Sequence, residues 1–145
     1  MGNYIDRTDV KNRLRRSYEQ AYTPRDASAV DTDLVDADIE LAEGEVDGYL
    51  ATRYAVPVTD SDAQRICKAY ALAIVEELAY SAIPGDLPKG TEKRTKSVRE
   101  NLNKISNGDM TLGSGETPTE RTDGAAAILV DGPDAVMGRD NLRGF

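Results

Sequence analysis

The 145-residue sequence contains no histidine and no tryptophan, and only one phenylalanine and one cysteine. Without histidine, Ser-His-Asp triads, HExxH zinc sites and imidazole acid–base chemistry are excluded in their usual forms. The single Cys67 cannot build an intrachain disulfide framework and fits a reducing cytosol, with a small apolar helix residue as its plainest role. No GxxxxGK[ST] segment and no GxGxxG after a strand is present, so nucleotide cradles are unsupported. The longest apolar run, Ala69 to Val75, is far shorter than the roughly 20 residues of a membrane span. The opening residues Met1 to Asp6 lack the apolar region of a secretory signal, and Asp6 stands where myristoylation needs Ser or Thr. A soluble protein made in the cytoplasm is expected, with no membrane partner, no metal and no cofactor.

Apolar residues make up 39% and aromatics 6%, which suits one ordinary domain with an aliphatic, alanine-rich core. Charged residues reach 30% with a net charge of −8. An acidic chain is a poor general DNA binder, although local basic patches can still meet phosphate.

The stretch Thr32 to Val58 organises the chain. On a helical wheel Val35, Ile39, Ala42, Val46, Tyr49 and Leu50 form one apolar stripe. Asp36, Glu40, Glu43 and Asp47 form an acidic stripe beside it. Ala37, Gly44, Gly48, Ala51 and Ala55, all small, lie opposite the apolar stripe. A glycine inside a helix costs roughly 1 kcal/mol against alanine, so two at spacing four imply close backbone approach of another element. The helix is predicted over about residues 33–54, stopped by Pro57.

Elsewhere the pattern predicts three more helices. Thr8 is the expected cap of a helix over 9–17, whose outer surface carries Lys11, Arg13, Arg15 and Arg16, with Tyr18 and Tyr22 following. Residues 23–31 read as a loop. Asp60 or Ser61 caps a helix reaching Ile83, apolar on nearly every side and therefore central. After the Pro84–Pro88 turn, Thr91 is the expected cap of a helix over 92–107 with a thin stripe of Val98, Leu102 and Ile105, ended by Asn107-Gly108. The fold class is mainly α: a four-helix body over 1–112 and a flexible linker and extended C-terminal arm over 113–145. Within the arm, the apolar island Ala125 to Val130 suits a short β-strand.

Few constellations offer chemistry. Asp31, Asp33, Asp36, Asp38 and Glu40 invite a calcium reading, but they lack the EF-hand glycine and closing glutamate and belong to a helix start. Paired carboxylates for glycoside hydrolysis would want a cleft with aromatic walls, for which the sequence offers little. No catalytic residue is assigned, and an enzyme is not expected. Charge segregation is the stronger signal. Residues 31–48 carry eight acids and no base, whereas 89–104 carry Lys89, Lys93, Arg94, Lys96, Arg99 and Lys104 against Glu92 and Glu100. Three readings stay open: two solvated faces, surfaces that meet between neighbouring copies, or a basic helix turned toward DNA in a channel. Leu142 and Phe145, after a flexible spacer, suit an apolar plug for a partner's groove.

Three segments carry a family resemblance: Tyr4-Ile5-Asp6-x-x-Asp9-Val10, Glu45-Val46-Asp47-Gly48-Tyr49-Leu50-x-x-Arg53-Tyr54-x-Val56-Pro57, and Arg139-Asp140-x-Leu142-Arg143-Gly144-Phe145. Together they resemble the Mu-like phage virion proteins described as head-completion or head–tail connector proteins. The resemblance implies a structural adaptor in the virion neck, assembled as a homo-oligomeric ring with twelve copies as the family-type expectation. Its implied partners are the portal protein, a tail-terminator or other neck protein, and passively the packaged DNA. On that reading Ala37, Gly44, Gly48 and Ala51 pack subunits. Asp36, Glu40, Glu43, Asp47, Lys93, Lys96 and Arg99 form a charged interface, and Ile128, Leu129, Val130, Leu142 and Phe145 dock a partner. The alternative is a small helical DNA-binding or regulatory module using the Lys11–Arg16 and Lys89–Arg99 segments.

Overall fold

The computed structural model describes residues 2–113, and four of the five helices there begin where a side chain or a proline suits the free backbone groups of the first turn. The first, α1 (Arg7–Leu14), is capped by Asp6 and not by Thr8. The Asp6 carboxylate accepts the Asp9 N–H at 2.8 Å while the Asp9 carboxylate accepts the Asp6 N–H at 3.2 Å, a reciprocal capping box. The expected single helix over 9–17 is two helices, because Arg15 adopts φ 53°, ψ −116° and starts α2 (Arg16–Tyr22). The apolar residues explain the break. Val10, Leu14, Tyr18 and Tyr22 are all buried, yet a repeat of four drifts about 40° per step around a straight helix. Re-aiming the chain at Arg15 returns both tyrosines to the core, where their rings lie 5.4 Å apart.

The third helix, α3 (Thr32–Leu50), is capped by Asp31, whose carboxylate accepts the Asp33 N–H at 2.9 Å. It ends four residues short of the expected Tyr54, which is buried and uses its hydroxyl to accept the Leu112 N–H at 3.1 Å. As expected, Asp60 caps the next helix, α4 (Ser61–Ala82), taking the N–H groups of Asp62 and Ala63. The last, α5 (Lys89–Asn107), starts directly after Pro88. Thr91 is not its cap: it is buried inside the first turn and donates its hydroxyl to Glu76 at 3.1 Å. Gly108, at φ 90°, closes α5 in the left-handed conformation that glycine adopts without a Cβ penalty.

The described body is therefore mainly helical, with five helices where four were expected, and no strand among the described residues. α4 contacts each of the other four helices. Its buried face is largely alanine, with Cys67, Ile74 and Val75, so neighbouring helices approach closely around it. Tyr4, Tyr18, Tyr22 and Tyr54 add aromatic bulk to an otherwise aliphatic core.

Candidate functional site

The acidic stripe of α3 is mostly turned inward. Glu43 is only 5% exposed, and its carboxylate holds the incoming N-terminal chain. Oε1 accepts the backbone N–H groups of Tyr4 at 2.7 Å and Ile5 at 2.9 Å, and Oε2 accepts that of Asn3 at 2.6 Å. A Cβ on Gly2 would run into the same carboxylate, so a larger residue there would push the Glu43 side chain away from these bonds. One turn along, Asp47 accepts the Tyr4 hydroxyl, whose oxygen in turn accepts the Val58 N–H at 3.0 Å. Burial pushes the Asp47 carboxyl above the usual range, against the Tyr4 hydrogen bond, and burial likewise pushes the Tyr4 phenol up.

Three more acids of α3 are matched inside the chain. Arg7 forks onto Asp36 and holds its carboxyl below the usual range. Tyr22 donates to Asp38 at 2.8 Å, while burial raises that carboxyl. Glu45 accepts Arg99 Nε at 2.7 Å, and Arg99 also reaches Glu77 at 3.1 Å, tying α3, α4 and α5 together. Only Asp33 and Glu40, both exposed, make neither an ion pair nor a side-chain hydrogen bond among the described residues. Glu43, Asp47, Asp36 and Arg99, expected in an interface between copies, are thus engaged within the subunit. The reason is that the N-terminal segment, α1 and α5 close over the flanks of α3.

The basic residues divide in the same way. Glu76, buried on α4, accepts Arg13 at 2.6 Å and Arg94 at 2.9 Å. Lys89, Lys93, Lys96 and Lys104 are exposed without ion pairs among the described residues, on the side of α5 opposite Val98, Leu102 and Ile105. Lys11, Arg15 and Arg16 are also exposed and without ion pairs there.

The small face of α3 has no element of its own subunit over it. Ala37, Gly44, Gly48 and Ala51 are exposed, and a Cβ on Gly44 or Gly48 would meet nothing within 4 Å. The expected close approach therefore does not occur within the described chain. Sequence reasoning missed the two residues that complete this face. Leu34 and Leu41, 45% and 62% exposed, are the exposed large hydrophobics among the described residues. With the small residues they run 34-37-41-44-48-51, an alternating three–four spacing that was readable in the sequence. Beside it lies a shallow groove of about 310 Å³ between Gly44, Gly48 and Thr52 of the α3 side and Asn103 and Ser106 of α5. An adjoining groove of about 480 Å³ has Tyr49, Leu87, Lys96 and Arg99 among its walls.

Among the described residues no cluster of three or more His, Cys, Asp or Glu side chains is arranged to hold a metal ion. No helix there is long and apolar enough to cross a membrane. Ile128, Leu129, Val130, Leu142 and Phe145, with the expected arm from residue 114 onward, lie outside the described residues.

Compared with known proteins, residues 4–130 match the family described as Bacteriophage Mu, Gp36. No curated protein matches the chain.

Proposed function

The chain belongs to the bacteriophage Mu Gp36 family, and from that premise we propose that this phage protein is a structural component of the virion, an adaptor at the head–tail junction. It forms an oligomeric ring under the portal, with twelve copies as the family-type number, and links the DNA-filled head to the tail through a tail-terminator or other neck protein. Its work is interface formation without bond chemistry. During assembly it resides in the host cytoplasm, and the packaged DNA passes it without specific recognition.

One observation carries this reading beyond the family match. Five of the seven acids of α3 are engaged within the subunit, yet one long face of that helix is left small, apolar and uncovered. Two exposed leucines on a strip of small residues offer another protein a surface to pack against. Deleting the gene from a phage that carries it tests the reading. DNA-filled heads and free tails should accumulate separately and join when the protein is supplied; normal joining without it would contradict the proposal.

A second reading is favoured by the exposed Lys89, Lys93, Lys96 and Lys104: a module that binds DNA through α5. Titration with duplex DNA separates the two, since a true binder weakens steeply with salt and an adaptor of net charge −8 shows little affinity at physiological salt.

A further inference from the structure

We propose that neighbouring copies join heterologously, the exposed α3 face of one copy receiving the lysine face of α5 from the next. The inference rests on the ring reading for its setting and identifies the two surfaces that would close the ring.

The α3 face is a seam. Leu34, Ala37, Leu41, Gly44, Gly48 and Ala51 repeat at the three–four spacing by which one helix presents a continuous strip to another. The glycines and alanines leave room for close approach, and no part of the described subunit fills it. Along one flank of the seam lie Asp33 and Glu40, the two acids of α3 left without partners.

Charge decides the occupant. A second α3 seam laid against the first would bring Asp33 and Glu40 near their own counterparts, and like charges across an interface are disfavoured. The occupant must instead bring cations, and α5 has them at the matching pitch. Lys89 and Lys96 are seven residues apart, as are Asp33 and Glu40, and as are Leu34 and Leu41. Seven residues of helix span about 10.5 Å in each case. Lysine also suits the apolar strip, because its methylene stem can cover leucine while the ammonium reaches a flanking carboxylate. A contact between two different surfaces of the same chain propagates from copy to copy, as a ring requires.

The seam is short. Eighteen residues cover about 26 Å by about 10 Å, well below the roughly 800 Å² per partner of a stable pair. Isolated subunits should therefore associate weakly through it, and repetition on a template should make it durable.

Cysteine cross-linking of the full chain tests this cleanly, since the native Cys67 is fully buried. Ala37 lies midway between Leu34 and Leu41, and Lys93 midway between Lys89 and Lys96, so the pair reports contact whichever way the helices run. Ala37→Cys mixed with Lys93→Cys at high protein concentration should cross-link far better than either variant alone. Adding Glu40→Lys to the first chain should cut the yield about tenfold, and Lys89→Glu with Lys96→Glu in the second should restore it. Equal cross-linking by Ala37→Cys alone would overturn the proposal in favour of seam on seam. A mixture no better than one of exposed Ser81→Cys with Lys93→Cys would overturn it outright. The same pair probed in virions separates this inference from the proposed function. Protein at the head–tail junction without the cross-link refutes the surfaces alone. Cross-linking by a protein absent from the junction supports the surfaces and refutes the function.

Discussion

The Glu43 carboxylate on α3 receives the backbone N–H of Tyr4 at 2.7 Å, and with the N–H groups of Asn3 and Ile5 it holds the N-terminal segment onto the helix. A carboxylate with three donors and little water around it is a fastening, and the buried Tyr4 and Ile5 depend on it. Glu43→Ala should lose about 2–4 kcal/mol of stability, because buried N–H groups are left without acceptors. Glu43→Gln retains one carbonyl oxygen and should lose about half as much. Urea unfolding of both variants measures this, and equal stability of Glu43→Ala and the wild type would mean the segment is not fastened there.

Asp47 gives a pH signature. Its folded carboxyl is raised, first by burial, against the hydrogen bond from Tyr4. A raised carboxyl binds its proton more tightly folded than unfolded. Its favourable contribution is therefore present below the ordinary carboxylate value and is lost as pH rises through the raised one. Asp47→Asn keeps an acceptor for Tyr4 and has no charge to bury. Its melting temperature relative to wild type should rise between about pH 3 and pH 7, the span over which a carboxyl titrates. A relative melting temperature that falls over that span contradicts the assignment.

Arg99 links Glu45 of α3 with Glu77 of α4 from its place on α5. Lysine carries the charge but lacks the planar fork that meets both oxygens of Glu45, so Arg99→Lys should cost about 0.5–1.5 kcal/mol, reduced by the partial exposure of the site and by salt. Thermal unfolding at low and high salt checks both parts, with the gap between variant and wild type narrowing as salt is added.

Gly48 separates folding from assembly. No neighbour lies within 4 Å of an added Cβ, so Gly48→Ala should raise the stability of the isolated chain by about 0.5–1 kcal/mol through helix propensity. Gly48→Leu should fold as well as wild type by circular dichroism and yet fail to enter particles. A Gly48→Leu protein that is unstable on its own would show that another part of the chain covers that face.

Much of this architecture was legible in the sequence because its signals are local. Asp60 capping α4, the glycine end of α5 and the all-round apolar pattern that makes α4 central each depend on a few neighbouring residues. The break at Arg15 was not legible, because it answers to where the core lies relative to Tyr18 and Tyr22. Composition marked α3 as strongly acidic but could not say that Tyr4, Arg7, Tyr22 and Arg99, distant in sequence, would arrive to meet those acids. The small residues of α3 were visible as a stripe, and Leu34 and Leu41 share its spacing, but a leucine is ordinarily counted toward the core and only the structure shows that the core leaves these two outside.

The central claim is a place in the virion, and a symmetric reconstruction of the intact neck tests it most directly. Density for a ring of five-helix subunits should lie between portal and tail, and the helices from Arg7 to Asn107 should fit it. A neck with no density for this body would contradict it.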